Sequence, residues 1–276
     1  MTPPPAAGTV LRQRLIVGTL LIAAVGGIVI VDLRTGRRTG TTVAVSLLTA
    51  ASLFEMEGLL LRLGWRGMRV LLPLCGVFLV ADVPLYLPGR PVYTIPLIVA
   101  LGSLLRPESD RLRNALMAAG TLLYIAVPMQ CLVRLAEGPG IQGFAPLLLA
   151  IAICKMGDTA AYFTGTTIGR HPLAPTISPK KTVEGAVGGL AGSIAVSVAA
   201  HAMLLPGILT LPRQILFGAL VGAAGQVGDL VESWIKRRAG VKDSGGTLLA
   251  MGGILDLVDS LLFAAPAAYL LGRAWA

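Results

Sequence analysis

The stretch LIVGTLLIAAVGGIVIV, residues 15–31, runs for 17 positions without a charged side chain. A helix that crosses the hydrocarbon core of a bilayer needs about 17–25 apolar residues, so this run is long enough to span it. Basic residues precede the run, as in a signal peptide, but DLRTGRR follows it where a cleavage site of small residues would be expected. We therefore predict an uncleaved first membrane span.

The rest of the chain shares this apolar character. Of its 276 residues, 55% are hydrophobic and 13% are charged, and the mean hydropathy is +0.79. A soluble domain carries about 25% charged residues, so we predict an integral membrane protein. The net charge is +9, but the basic residues are divided among short loops. This distribution favours attraction to anionic lipid headgroups, and we expect no nucleic-acid binding.

Further apolar segments predict an all-α fold, a polytopic membrane helix bundle of about nine transmembrane helices. Glycine runs such as GAVGGLAG permit close approach between these helices. We expect an N-terminal transmembrane region at 1–140 and a C-terminal catalytic transmembrane region at 141–276. The predicted spans are 15–31, 41–61, 70–88, 92–105, 114–134, 144–166, 185–204, 213–229 and 252–272.

Charge distribution predicts the orientation of these spans. Nine spans with the N-terminus inside place about twice as many Lys and Arg on the inner side as on the outer side, as the positive-inside rule requires. The loop DLRTGRRTG is the exception. The loops at 167–184 and 230–251 then share the cytoplasmic side. We expect a multi-pass protein of the cell inner (plasma) membrane whose active site faces the cytoplasm.

The segment from GDLVESWIKRR to ILDLVDS concentrates charge between two apolar spans. Asp229 and Ser233 lie at helical spacing, and Asp256 and Asp259 are three positions apart in the next predicted helix. A glycine-containing loop with Asp243 lies between them. Carboxylates without His or thiolate neighbours favour Mg²⁺, which often bridges to phosphates. The neighbouring cations Lys236, Arg237 and Lys242 would hold phosphate oxygens. Structural salt bridges at the bilayer edge are the alternative.

A second charged segment begins inside the sixth predicted span. Asp158 lies within or at the end of that span, where an ionisable residue indicates a functional site; a pair with Lys155 is the alternative. Downstream, hydroxyl and ammonium groups precede a predicted helix start near Glu184, an arrangement that suits phosphate. Anchoring on lipid headgroups is the alternative there. The residues concerned are Ser178, Lys180, Lys181 and Thr182.

Other polar residues receive simpler interpretations. His201 lies in an apolar segment and is expected to pack, and His171 has no obvious partner in the sequence. Glu55 and Glu57 cannot share one helical face. The three cysteines lie in apolar segments without metal-binding spacing, so buried reduced thiols are expected at Cys75, Cys131 and Cys154.

These segments together resemble a known family. SWIKRRAGVKDSGGTLLAMGGILDLVDS is similar to the C-terminal signature of phosphatidate cytidylyltransferases, or CDP-diacylglycerol synthases, which reads S-x-x-K-R-x4-K-D followed by P-x-H-G-G-x-x-D-R-x-D. GDTAAYFTG and ISPKKTVEG resemble two further family segments. The resemblance covers about residues 150–272. The signature positions that match are Ser233, Lys236, Arg237, Lys242, Asp243, Gly252, Gly253, Asp256 and Asp259.

Three positions depart from the signature. Leu249, Met251 and Leu257 stand where the family has Pro, His and Arg. Met cannot carry a proton or bind Mg²⁺ usefully, and Leu cannot neutralise phosphate. The carboxylates are all retained, which argues against simple decay of the site.

The resemblance implies that CTP and phosphatidate in the bilayer react to give CDP-diacylglycerol and pyrophosphate, with Mg²⁺ as cofactor. It implies catalytic roles for Lys236, Arg237, Lys242 and Asp243, substrate binding by Ser178, Lys180, Lys181, Thr182 and Ser233, and metal binding by Asp158, Asp229, Asp256 and Asp259. A homodimer is left open. The alternatives are a non-catalytic relative, a lipid kinase or cytidylyltransferase for another lipid phosphate, and a transporter.

Overall fold

The computed structural model describes residues 7–65, 68–81, 99, 111–138, 140–204, 209–245 and 252–275. Helices dominate this part of the chain, and one short hairpin interrupts them. The elements are α1 (Ala7–Thr35), α2 (Thr39–Arg62), α3 (Leu71–Val80), α4 (Arg111–Arg134), α5 (Gly140–Ile168), β1 (Pro172–Ala174), β2 (Ser178–Thr182), α6 (Val183–Leu204), α7 (Leu211–Arg238), α8 (Ile254–Val258) and α9 (Leu261–Trp275).

Among the described residues, seven helical segments are long and apolar enough to cross a membrane. The chain is therefore a multi-pass membrane protein with the predicted all-α bundle. The predicted number of about nine spans is not confirmed: the third is described only as the ten-residue α3, and the fourth, at 92–105, lies outside the described residues except Val99. The first span, which includes Ile16–Thr35, has 11% of its apolar window buried, so most of its surface is not covered by the other described helices.

The Asp32 side chain connects the end of α1 to the start of α2 by hydrogen bonds. The side chain is buried, with Oδ1 accepting the N–H of Gly40 at 2.8 Å and Oδ2 accepting that of Thr41 at 2.7 Å. These are N–H groups of the first turn of α2, which have no acceptor within the helix. The exceptional charged loop of the sequence therefore contains a buried carboxylate that caps a helix.

Small residues bring α5, α6 and α7 into close contact, as the glycine runs predicted. A Cβ at Gly157 would lie 2.4 Å from Ser193 Oγ, and one at Gly222 would lie 2.5 Å from the same atom. A Cβ at Gly218 would lie 2.8 Å from the Cα of Ile194. The three backbones can approach this closely because glycine carries no side chain.

The structure differs from the prediction in two places near the charged segments. The loop at 167–184 contains an antiparallel hairpin, in which Pro172 pairs with Thr182 and Ala174 with Ser178. The predicted last helix, 252–272, is broken between Val258 and Leu261. At the break, Asp259 Oδ1 accepts the N–H of Ser260 at 2.5 Å. A side chain that bonds to local backbone competes with the helical pattern, which accounts for the turn.

His201 and Cys154 are buried packing residues, as predicted, whereas Cys75 and Cys131 are only partly buried. The His201 ring packs edge-on against Phe217 with a centroid separation of 5.6 Å. All three thiols are free.

Candidate active site

A cavity of about 610 Å³ lies where α5, the hairpin, α6, α7 and the α8–α9 turn meet. Charged residues from sequence-distant elements share its wall. α5 contributes Lys155 and Asp158, and the hairpin contributes Lys180 and Lys181. The polar wall consists of Lys155, Asp158, Tyr162, Thr166, Lys180, Lys181, Thr182, Gln226, Asp229, Asp256 and Asp259.

Lys181 connects the hairpin to α7. Its Nζ lies 2.6 Å from Asp229 Oδ2, with both side chains about 30% exposed to the cavity (28% and 30%). Ser233, one turn further along α7, donates to Asp229 Oδ1 at 3.4 Å. The sequence placed Lys181 and Asp229 in separate motifs, and the structure brings their charges into contact.

Asp158 and Asp259 complete an acidic side of the cavity. Asp158 lies 3.9 Å from Lys155 and interacts electrostatically with Asp229. Asp259 is buried, and its charge interacts with those of Asp229 and Asp158. In the described part of the chain no Lys, Arg or His lies within 4.0 Å of Asp259. Three carboxylates therefore converge on a cavity whose wall also carries Lys155, Lys180 and Lys181.

Asp256 lines the same cavity but is held by a protein network. Its Oδ1 receives Lys236 Nζ, and its Oδ2 accepts from Ser244 Oγ at 2.9 Å and from the N–H of Gly253 at 2.6 Å. Lys236 also pairs with the fully buried Glu232. With both oxygens occupied in this way, Asp256 is less available than Asp259 for a metal ion.

The hairpin is fastened to the helices that carry it. Glu184 Oε2 accepts the N–H groups of Arg170 and His171 at 3.1 and 3.2 Å, and Oε1 lies 2.5 Å from His171 Nδ1. His171, which had no evident partner in the sequence, thus has one. Arg237 donates to the carbonyl oxygens of Ile177 and Val241, at 3.1 Å each. The loop is therefore held at its start, by Glu184, and at the turn between its two strands, by Arg237.

Of the remaining predicted site residues, Lys180 lines this cavity, whereas Lys242 and Asp243 do not. Ser178 is half-buried on β2, and Lys180 is exposed at the cavity wall. Lys242 is exposed beyond α7. Asp243 lines a second cavity, of about 650 Å³, together with Arg62 and Arg69. Met251 and Leu249 lie outside the described residues.

Two residues that the sequence interpretation did not place in the site support it. Lys155 was considered only as a partner of Asp158, but its Nζ donates to the carbonyl oxygen of Leu257 at 3.0 Å. Glu55, on α2, accepts the N–H groups of Ile254 and Leu255 at 3.0 and 2.9 Å. A lysine inside an apolar span is a sequence feature that indicates a functional role for Lys155. No sequence feature near Glu55 indicates that it accepts hydrogen bonds from a helix 199 residues away.

The carboxylates fit a hydrated Mg²⁺ that also binds substrate. Mg²⁺ retains several waters and takes one or two carboxylates together with phosphate oxygens. Asp158, Asp229 and Asp259 offer such oxygens at one cavity. Within the described ranges, no three His, Cys, Asp or Glu side chains are close enough to form a site from protein ligands alone. The oxygens of these three aspartates are donors of the kind that Mg²⁺ takes.

The fold and the cavity define a multi-span membrane protein with a cavity lined by lysines and carboxylates between its C-terminal helices. A family model described as "Cytidylyltransferase family" matches residues 12–275. The chain belongs to the cytidylyltransferase family, which confirms the resemblance that the motifs predicted.

Curated relatives match about half of the chain. A protein of Brucella suis biovar 1 (strain 1330), named phosphatidate cytidylyltransferase, is 41% identical over 143 residues, 51% of this chain and 52% of the relative. A Staphylococcus aureus (strain COL) protein of the same name is 45% identical over 127 residues, 45% of this chain and 48% of the relative. "Uncharacterized protein YnbB" of Escherichia coli (strain K12) is 43% identical over 127 residues, 46% of this chain and 42% of that protein. The chain thus aligns with about half the length of the relatives it matches.

Proposed function

We propose that this protein transfers the cytidylyl group of CTP to phosphatidate, forming CDP-diacylglycerol and pyrophosphate. Family membership and the names of the Brucella and Staphylococcus relatives support this activity. The observation that carries the proposal is the cavity itself: Lys180 and Lys181 line the same space of about 610 Å³ as Asp158, Asp229 and Asp259. Cations for phosphates and carboxylates for a hard ion are the two requirements of a nucleotidyl transfer.

The reaction requires little proton transfer. A phosphate oxygen of phosphatidate, already anionic, attacks the α-phosphorus of CTP; the new P–O bond forms as the bond to the β-phosphate oxygen breaks, and pyrophosphate leaves with that electron pair. The barrier lies in bringing two polyanions together, so catalysis is positioning and charge neutralisation. Lys180 and Lys181, on the hairpin, would bind phosphate oxygens, and Thr182 would donate its hydroxyl.

When bound, Mg²⁺ would supply positive charge to the phosphates in this cavity. Asp229 and Asp259 would hold it, with Asp158 as a further oxygen donor. Lys155 would limit the repulsion among these carboxylates, because it lies beside Asp158 and is fixed by the carbonyl of Leu257. Asp256 would keep the α8 end of the cavity in place through Lys236.

A lateral route from the bilayer is proposed for the lipid. Tyr162 lines the cavity and is 66% exposed, and its neighbour Phe163 is 61% exposed on the same helix. Val187, on α6 beside the cavity wall, is 65% exposed. Apolar groups at this edge can contact acyl chains while the phosphate reaches the lysines. An active site that faces the cytoplasm from the cell inner membrane, and a homodimer, remain part of the proposal.

A label-transfer experiment tests the proposed reaction against its alternatives. The purified chain in lipid nanodiscs is supplied with phosphatidate, Mg²⁺ and CTP labelled at either the α- or the γ-phosphate. The proposal predicts that α-label enters the lipid and that γ-label appears only in pyrophosphate. Transfer of γ-label to lipid would indicate a lipid kinase. If neither label enters any lipid, the enzyme proposal is contradicted and a non-catalytic relative is favoured.

A further inference from the structure

Glu55 lies in the N-terminal half of the chain, outside the cavity wall, and yet binds the segment that carries Asp256 and Asp259. Its side chain is buried, with 8% of the residue exposed. Oε1 accepts the N–H of Ile254, and Oε2 accepts the N–H of Leu255 at 2.9 Å. These N–H groups belong to the first turn of α8, where the helix itself offers no acceptor.

The carboxylate also holds the loop that precedes α8. Ser244 Oγ lies 3.0 Å from Glu55 Oε2 and 2.9 Å from Asp256 Oδ2, so one hydroxyl contacts both acidic side chains. Glycines leave the space that the carboxylate fills. A Cβ at Gly253 would lie 2.3 Å from Oε2, and one at Gly245 would lie 2.7 Å from Oε1.

Helix α8 has only five residues, and its own hydrogen bonds are too few to hold it in position. Its N-terminal end is held by Glu55, and the carbonyl of Leu257 near its C-terminal end accepts from Lys155. Asp256 lies within this short helix and Asp259 immediately follows it. A shift of α8 would move both carboxylates relative to Asp229 on α7.

We propose that Glu55 is a positioning residue for the active site, acting through α8 and Ser244 on Asp256 and Asp259. The inference rests on the proposed function. It extends the functional site to α2, a helix in which the sequence showed no motif. A buried carboxylate that accepts backbone N–H groups stabilises the helix start more strongly than a neutral acceptor would.

The test compares Glu55→Gln with Glu57→Gln in the full chain in nanodiscs. Glu57 is a matched control because it is also a buried glutamate of α2 and its charge interacts with that of Arg69. We expect Glu55→Gln to lower kcat for CDP-lipid formation by about 10–100-fold, as when the supporting partner of a ligand is lost. The KM for CTP should change by less than about threefold, because Glu55 contacts none of the phosphate-binding lysines.

Hydrogen–deuterium exchange of peptides that cover residues 252–258 gives a readout independent of turnover. Exchange should accelerate in Glu55→Gln and stay at the wild-type rate in Glu57→Gln. Kinetics and exchange in Glu55→Gln that match those of Glu57→Gln would overturn the inference. If the wild type forms no CDP-lipid, the proposed function fails, and exchange alone then decides: faster exchange supports the role of Glu55 and an unchanged rate overturns it.

Ser244→Ala keeps the inference testable if Glu55→Gln does not fold. It removes the single hydroxyl that contacts both Glu55 and Asp256 while leaving the buried carboxylate in place. We expect a fall in kcat and a rise in exchange at 252–258, both smaller than those expected for Glu55→Gln. A variant identical to the wild type in both measurements would overturn the inference.

Discussion

Lys181 Nζ and Asp229 Oδ2 are 2.6 Å apart, although the two residues belong to different motifs on the hairpin and on α7. The pair closes one side of the cavity and places a cation directly beside a carboxylate. A phosphate could take the cation and a metal ion the carboxylate, so the contact keeps both groups in place before substrate binds.

Replacing Lys181 by Gln tests its role in phosphate binding. Hydrogen bonds to charged groups contribute about 1.5–3 kcal/mol, so we expect the KM for CTP or phosphatidate to rise about tenfold or more. Arg170→Gln is the matched control, since Arg170 is an exposed cation of the same loop and does not line the cavity. If the KM values for CTP and phosphatidate are unchanged in Lys181→Gln, Lys181 does not bind substrate phosphate, and the loop serves to anchor the protein on lipid headgroups.

Asp259→Asn tests the proposed metal site. The change keeps the shape of the side chain and removes its charge from a buried position on the cavity wall. We expect most of the activity to be lost, and a higher Mg²⁺ concentration to be needed for what remains. Turnover is measured across a Mg²⁺ series and normalised to folded protein. Near-normal turnover at limiting Mg²⁺ would show that Asp259 does not hold the ion.

Leu257 is where the family signature has Arg, and its surroundings predict the effect of restoring that residue. The Leu257 side chain packs against the apolar core, and Lys155 brings an ammonium group to the Leu257 carbonyl. We therefore expect Leu257→Arg to lower CDP-lipid formation, because the new cation would be partly buried beside an existing one. Higher activity in Leu257→Arg would mean that the departure weakens the enzyme.

Sequence spacing identified the charged residues but not all of their partners. Apolar runs predict helices directly, and Asp158, Asp229 and Asp259 meet at one cavity as the two motifs implied. Spacing reports only neighbours along one element, however. The contact between Glu55 and α8 depends on how α2 packs in the bundle, so no local pattern could predict it.

The same limit explains two errors of local structure. At the turn after Val258 the N–H of Ser260 donates to the Asp259 side chain, within a run whose apolar periodicity predicts a continuous helix. The hairpin at 172–182 contains no alternating apolar pattern, and it is held by Glu184 and Arg237 from neighbouring helices.

Gly218→Ala tests the close packing of α6 against α7. The added Cβ would lie 2.7 Å from Ser197 Cβ and 2.9 Å from the Ser193 carbonyl oxygen, so the helices must separate. We expect a loss of about 1–3 kcal/mol in stability, typical of overpacking. Gly120→Ala is the control, since no atom lies within 4 Å of its added Cβ. The unfolding temperature of each variant is measured in detergent. If neither substitution lowers it, this packing is contradicted.

The most direct test of the central claim is the stoichiometry of the products formed by the purified chain from CTP and phosphatidate. Mass spectrometry of the lipid extract and a pyrophosphate assay are run on the same samples, with Asp259→Asn in parallel. The account predicts CDP-diacylglycerol and pyrophosphate in equal amounts from the wild type, and little of either from the variant. Pyrophosphate without CDP-lipid, or equal product from both proteins, would contradict it.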